Sequence, residues 1–487
     1  MSRMHSDVAP DPVVRTTKGE VRGIRTGDIR RFAGIPFALP PFGDRRFALP
    51  EDVPAWDGVR DATAFGPTAP QDPYYGAIGE LLGSIEIPGD DILTVNVWSP
   101  ATVPDGGLPV MVWYHGGALE RGATALPAYD GTAFARAGIV FVSVGHRVGA
   151  EGFSVLEGAP RNLGLADAAA GLRWVQREIA AFGGDPARIT IVGESAGGAL
   201  VAALLCRPDT AAIPRAAIIQ SGPLDALPVD RAGRVTRAVA KHLGIRPDID
   251  TFRTVTPRRL IDARRRLAEG SSPLSGTPGF ALAVDPDSLP VSPVDGLRGV
   301  EIPIVIGTNT DEYRLWFTPE QLAGISAVKL TLARLALRIP GRTMRAYRDA
   351  LAGATPGELL GQLATDRLLR GPAVRAARGR RAPTYLYEFA WPSPVRDLRA
   401  AHAIEIGFVF DRVDSDDWRR LVGDAAPAAL AARMHGDWVR FIRELDPGWP
   451  AFRGDAPGAP TEPVLRYDAD TAVVPLPRAA AVTSLIS

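Results

Sequence analysis

A serine flanked by glycines dominates the chemistry this chain could perform. Gly193-Glu194-Ser195-Ala196-Gly197-Gly198 follows the apolar run Ile189 to Val192 and precedes the small-residue run Ala199 to Cys206. In a strand–turn–helix setting, a G-x-S-x-G turn holds the serine hydroxyl clear of the chain at a helix N-terminus, as a nucleophile requires. The flanking glycines let strand and helix approach without side-chain clashes. Five residues alone are a weak signal, and the plain alternative is a tight turn with an incidental serine. A second segment fits the same chemistry. Acyl transfer to serine builds an oxyanion that needs backbone N–H donors with no side chain in the way. His115-Gly116-Gly117-Ala118, at the end of the run Val112-Trp113-Tyr114, can supply them. The N–H groups of Gly117, Ala118 and Ala196 are the candidate donors, and His115 is read as shaping the loop.

A serine nucleophile needs a base and an acid, and in this strand–turn–helix class they follow in the order Ser, Asp or Glu, His. Of six histidines, His5 is in the N-terminal segment, while His115 and His146 precede the serine. His242 falls in a polar helical stretch. His402 lies in a loop after the strand-like run Thr384 to Trp391, where catalytic groups are commonly carried. His435 sits mid-helix beside Trp438 and is the less suitable candidate. For the acid, Ile302 to Ile306 leads into Gly307-Thr-Asn-Thr-Asp311-Glu312. Either Asp311 or Glu312 could hold an imidazole in the required tautomer, and Asp311 is equally a good helix-cap residue.

These candidates need a scaffold. Residues 13–65 alternate short β-like runs with turns, which suggests an antiparallel N-terminal region. From about 91 to 225, short apolar runs (Leu93–Trp98, Pro109–Tyr114, Ile139–Val144, Ile189–Val192, Ala216–Gln220) alternate with longer, often helical stretches. Strands apolar on both faces are what a buried parallel sheet needs. The stretch Leu165 to Phe182 sets Leu165, Leu172, Val175, Ile179 and Phe182 near one helical stripe and stops at Gly183-Gly184. Residues 317–380 read as a largely helical, arginine-rich insertion, and a last long helix runs from Pro427 to Leu445. The expected organisation is a tail, 1–12, and a single α/β domain, 13–487.

Composition narrows the class. The 487 residues carry 55 Lys plus Arg against 55 Asp plus Glu, and 46% are hydrophobic. Balanced charge gives no general drive toward nucleic acid or an anionic membrane, and the apolar fraction is too high for a disordered chain. The 51 glycines and 44 prolines suit a loop-rich fold. Cys206 is the only cysteine, so no intrachain disulfide can form. Met1 to Pro12 lacks the apolar centre of a signal peptide, and no apolar run approaches the ~20 residues of a membrane span. A cytoplasmic protein is expected. Only three lysines (Lys18, Lys241, Lys329) accompany the many arginines, a bias that fits a GC-rich bacterial source.

Further segments bring these signals together. They include Phe32-Ala-Gly-Ile-Pro-Phe-Ala38, Pro40-Pro-Phe-Gly43, Asp90-Asp-Ile-Leu-Thr-Val-Asn-Val-Trp98, Leu172-Arg-Trp-Val-Gln176 and Phe182-Gly-Gly-Asp-Pro186. Gln220-Ser-Gly222, His402-Ala-Ile-Glu-Ile406, Trp438 and Asp446-Pro447 continue the series. With the serine and glycine motifs, the chain resembles the type-B carboxylesterase family, which includes bacterial para-nitrobenzyl esterases and the cholinesterases, over about residues 13–455. The resemblance implies an α/β-hydrolase fold: a large, mostly parallel central sheet flanked by helices, with an N-terminal β region and helical insertions. It implies Ser195 as nucleophile, Glu312 as acid and His402 as base, with the oxyanion hole at Gly117, Ala118 and Ala196. Ser221 would support the triad by hydrogen bonding, and Glu194 and Glu405 would stand behind it, more plainly as structural ion pairs. No cofactor and no metal is implied.

The chain also departs from that family. Leu119 stands where an aromatic usually follows the oxyanion loop, and Gly145-His146-Arg147 replaces an Asn-Tyr-Arg segment. Ala69 and Ile92 replace the cysteines that close a loop in animal members. Candidate pocket walls are Tyr74-Tyr75, Leu119, Phe153, the Gly- and Pro-rich stretch 274–290, Trp316 and Phe317. Their apolar character suits a small-molecule ester with a hydrophobic acyl or alcohol group, with core packing as the ordinary reading of each. The rivals are hydrolysis of a carbamate or aryl amide by the same triad, and a non-catalytic binding protein on the same scaffold.

Overall fold

The computed structural model describes residues 11–269, 279–453 and 461–486. Most of the expected tail, including His5, and part of the stretch 274–290 lie outside the described residues. Val13–Arg15, Glu20–Arg22 and Val59–Asp61 pair as a small sheet at the N-terminal side.

Eleven strands build the main sheet: β1 (Ile24–Thr26), β2 (Ile29–Pro36), β3 (Thr94–Pro100), β4 (Leu108–Tyr114), β5 (Val140–Val144), β6 (Gly184–Glu194), β7 (Ala216–Gln220), β8 (Ile304–Asn309), β9 (Thr384–Phe389), β10 (Pro463–Tyr467) and β11 (Ala472–Pro475). Their spatial order is β11-β10-β9-β8-β7-β6-β4-β5-β3-β2-β1. From β5 through β4 and β6 to β10 every neighbouring pair is parallel, and the strands outside that block pair antiparallel. With helices on both faces, this is the α/β-hydrolase arrangement. Strand β4 shows why the runs are apolar throughout. Val110, Val112 and Tyr114 join one core cluster, whereas Met111 and Trp113 join another. Successive side chains point to opposite faces, so a sheet covered on both sides needs apolar residues at every position.

Two strands extend beyond the runs read from sequence. Strand β6 begins at Gly184 rather than Ile189, because Gly184 still pairs with Leu108 across a register shift. Strand β8 covers Ile304–Asn309 rather than 302–306, because Gly307-Thr308-Asn309, turn-like in composition, pair with Tyr387, Glu388 and Phe389. Gly307 is required there, since a Cβ would overlap the Tyr387 ring.

Helix α1 (Leu163–Glu178) and a following 3-10 turn to Phe182 bury Leu165, Leu172, Val175, Ile179 and Phe182 completely. Gly183, at φ 92°, ends the turn. Helix α2 (Ala196–Leu204) leaves β6 at Ser195 and is entirely buried. The arginine-rich stretch folds mainly into α3 (Ala327–Ala336), α4 (Gly341–Ala350), α5 (Pro356–Thr365) and α6 (Gly371–Gly379). Ser326 caps α3, and Thr355 with Glu358 forms a capping box on α5. Helix α7 (Ala428–Glu444) starts just after Pro427.

Candidate active site

The C-terminal ends of the parallel strands converge on one cleft of about 120 Å³, lined by Ser195, Glu194, Gly116, Gly117, Ala118 and His402 among others. Ser195 is the one residue between β6 and α2. Its backbone is held at φ 54°, ψ −122°, a conformation unusual for any residue but glycine. The turn is held from both sides: the Ser195 N–H donates to the Gln220 carbonyl at 2.8 Å, and a Cβ at Gly197 would overlap the Tyr114 carbonyl. Ser195 thus meets the cleft because strand, turn and helix leave no other path.

Opposite the turn, the loop after β4 carries Ala118 at φ 58° and Leu119 at φ 60°. Among the described residues, no protein acceptor engages the N–H groups of Gly117, Ala118 or Ala196. Unsatisfied donors beside a serine turn suit a developing oxyanion. His115 shapes this loop: its Nδ1 donates to the Gly116 carbonyl at 2.8 Å, and its ring stacks on His146 at 4.4 Å. Burial lowers the His115 pKa to about 4, so the ring is neutral.

His402 faces two carboxylates. Its Nδ1 lies 2.5 Å from Oε2 of Glu312, which fixes a proton on Nδ1, so that in the neutral ring Nε2 is the free lone pair. Nε2 is 3.1 Å from Oε1 of Glu194 without hydrogen-bond alignment, and both atoms are otherwise unpartnered. Glu312, fully buried, receives the Ser221 hydroxyl and the Asn309 N–H, both at 2.7 Å. Of the adjacent pair left open by the residue types, Glu312 is the one that meets His402. Asp311 instead occupies the position before the 3-10 turn Glu312–Leu315, without a capping side-chain hydrogen bond, and approaches Arg314 at 3.8 Å. His435, on α7, points its Nδ1 at the Val409 carbonyl.

Burial opposes charge on His402, but Glu194 and Glu312 outweigh it and push its pKa up to about 9. Burial, reinforced by Glu405 and Glu312 and only partly offset by His402, pushes Glu194 up to about 8. Behind the ring, Asn309 joins the segments that carry Glu312 and His402. Its Nδ2 donates to the Ala401 carbonyl and to Glu405 Oε2, both at 2.7 Å. Glu405 also accepts from Gln220, whose own oxygen accepts from Trp438. In the sequence Asn309 is one polar residue within Gly307–Glu312. Nothing in its residue type distinguishes a hub from a turn residue.

Pocket walls divide. Tyr74 and Trp316 line the cleft, and the Trp316 ring lies 4.7 Å from that of His402. Leu119, Phe153 and Phe317, expected as pocket walls, are absent from the lining. Leu119 is buried beside the oxyanion loop and Phe153 packs into the core near Gly164. Phe317 faces a separate cavity with Leu322, Ile325 and Leu360. Tyr75 lines another cavity with Arg121 and Arg265. Tyr129, Trp418, Leu81 and Leu421, not among the expected walls, also line the cleft. They come from segments without motifs and meet only in three dimensions.

A sequence model described as the Carboxylesterase family matches residues 10–457. The chain is 34% identical over 470 residues to phenmedipham hydrolase of Pseudarthrobacter oxydans, covering 92% of this chain and 94% of that protein. It is 34% identical over 465 residues to para-nitrobenzyl esterase of Bacillus subtilis, covering 90% and 92%. Among solved structures, carboxylesterase EST55 of Geobacillus stearothermophilus superposes with a TM-score of 0.85 at 33% identity, covering 97% and 99% of the two chains.

Proposed function

The chain belongs to the carboxylesterase family and is a carboxylic ester hydrolase, and from that premise we propose that Ser195, His402 and Glu312 form its catalytic triad. Neutral His402 takes the Ser195 proton on Nε2 as Oγ attacks the ester carbonyl carbon. The N–H groups of Gly117, Ala118 and Ala196 stabilise the oxyanion, each by about 3 kcal/mol. Collapse breaks the C–O bond, and the proton on Nε2 passes to the departing alcohol. Water then attacks the acyl-enzyme, gives its proton to His402, and the acid leaves as Ser195 regains that proton. Glu312 keeps the imidazole in the Nδ1–H tautomer and stabilises its protonated form, while Ser221 holds Glu312.

The observation that carries this reading is the His402 ring, held by Glu312 on one nitrogen with the other unpartnered in the cleft that Ser195 lines. Tyr74, Tyr129, Trp316 and Trp418 around that cleft support an ester with a hydrophobic acyl or alcohol group. We read residues 13–487 as one catalytic domain with a helical insertion at 317–380. The single cysteine and the arginine bias support a cytoplasmic bacterial enzyme.

The test is hydrolysis of para-nitrophenyl acetate, butyrate and octanoate by wild type and Ser195→Ala, beside matched carbamate and anilide substrates. Turnover is expected to fall by about 10⁴-fold or more in the variant. Equal rates in both proteins remove Ser195 from the mechanism. Carbamate or anilide turnover above that of the esters moves the assignment to those bonds.

A further inference from the structure

Charge balances over the whole chain but not locally. Between Gly324 and Ala350 stand Lys329, Arg334, Arg338, Arg342, Arg345 and Arg348, against Asp349 alone. Helix α3 in this stretch buries Leu330, yet Val328, Leu332 and Leu335 are 68%, 61% and 58% exposed. Their spacing, i, i+4 and i+7, makes one apolar stripe along the solvent side of the helix. Leu368, 51% exposed, follows Arg367, whose guanidinium reaches the Leu337 carbonyl just past α3. These four account for half of the eight large hydrophobic side chains exposed among the described residues. Helix α4, joined to α3 by Leu337–Pro340, buries Thr343, Met344 and Tyr347 and leaves Arg342, Arg345 and Arg348 in water.

Ester hydrolysis uses none of these residues. Among the described residues none of these six cations has an ion-pair partner, and an exposed apolar stripe with cations on the same helix and the next is the pattern of a helix that lies in a membrane interface. We propose that α3 and α4 form a docking surface for an anionic phospholipid membrane, seating the enzyme on the leaflet. Val328, Leu332, Leu335 and Leu368 enter the headgroup–acyl boundary, and the arginines meet lipid phosphates. No helix among the described residues is long and apolar enough to cross a membrane, so the contact is peripheral. A second copy on this face would bring two strongly cationic surfaces together, which like-charge repulsion opposes. A groove-seeking peptide has no match in a convex helix. A lipid leaflet offers both an apolar layer and a plane of negative charge.

The test is co-sedimentation of the full chain with vesicles of phosphatidylcholine alone or mixed with phosphatidylglycerol, with oligomeric state followed by light scattering. The wild type is expected to pellet with the anionic vesicles only, and high salt is expected to release it. Arg342→Gln/Arg345→Gln/Arg348→Gln lowers partitioning roughly 100-fold, at about fivefold per charge. Leu332→Gln/Leu335→Gln lowers it roughly tenfold or more. Both variants keep wild-type turnover of soluble para-nitrophenyl acetate. Failure to pellet, equal pelleting with both lipids, or a wild-type dimer that the leucine variant dissociates overturns the proposal.

Discussion

Oε1 of Glu194 lies 3.1 Å from Nε2 of His402, while Nδ1 of the same ring meets Glu312 at 2.5 Å. One buried imidazole is thus held between two carboxylates, only one of which it hydrogen-bonds. Glu312 orients the ring. In the proposed mechanism the nitrogen that Glu194 faces must be unprotonated, so Glu194 bears on when the proposed base is available.

That relationship sets a pH dependence. Burial alone would lower the His402 pKa, but Glu194 and Glu312 outweigh it and push the value up to about 9. A general base acts when neutral, so kcat/KM falls as pH drops through that folded-state value. Glu194, itself raised to about 8, gains a proton over the same range and then pulls less on His402. The acid limb for para-nitrophenyl acetate is therefore expected above the ordinary histidine value of about 6.5. Glu194→Gln removes the largest raising influence and moves the midpoint down toward 6.5. A midpoint that stays in place would mean that His402 is not the titrating base.

Asn309 links Glu312, the proposed acid, to the loop of His402, the proposed base. Its backbone N–H reaches Glu312, and its side chain reaches Ala401 and Glu405. Asn309→Ala removes the hydrogen bonds to the Ala401 carbonyl, which keeps only the Ile404 N–H at 3.4 Å, and to Glu405 Oε2, and so loosens the His402 loop; a misplacement of about 1 Å can cost about 100-fold in rate. We expect kcat to fall 10- to 100-fold with KM little changed, at a pH where the fold is intact by circular dichroism. Loss confined to KM would separate Asn309 from the triad and attach it to substrate binding.

How far the sequence reveals the site depends on how local its parts are. Ser195 and the Gly116-Gly117 loop each sit in a single strand–turn segment whose steric demands leave a composition signature. Residue types leave Glu312 and Asp311, one position apart, undecided; the family resemblance points to Glu312, and Glu312 is the one whose side chain meets His402. Strand ends were harder, because Gly307 and Asn309 resemble turn residues until β9 supplies their partners. Tyr129, Trp418 and Leu421 carry no signature, since a cleft wall is made by distant segments meeting. The arginine-rich character of 317–380 is plain in the sequence, but which faces of α3 and α4 stay in solvent depends on what Leu330, Met344 and Tyr347 pack against.

The buried pair Arg147–Asp167 predicts a stability effect away from the chemistry. Arg147, in the Gly145-His146-Arg147 segment, donates to both Asp167 oxygens, at 2.8 and 2.7 Å, and to the Ala48 carbonyl. Both side chains are essentially excluded from water. Truncating one partner strands the other charge in the core, so Arg147→Ala is expected to cost about 3–5 kcal/mol. Arg147→Ala/Asp167→Ala should recover part of that loss in urea unfolding at neutral pH. Additive losses would show that the two groups act independently.

The division of pocket walls yields a paired prediction on specificity. Trp418 is buried and lines the cleft, its indole N–H donating to Ala128. Phe317 is half-buried and faces another cavity. Truncating Trp418 to Ala enlarges a cleft of only about 120 Å³. Room for added methylenes is worth about 1–3 kcal/mol in discrimination, so the octanoate-to-acetate ratio of kcat/KM should rise about tenfold or more. Phe317→Ala should leave that ratio unchanged while costing about 1–3 kcal/mol of stability, less than a fully buried phenylalanine. Using a ratio cancels any difference in active fraction between the proteins. A changed ratio in Phe317→Ala with none in Trp418→Ala would place the acyl chain on the other side of the 3-10 turn that carries Glu312.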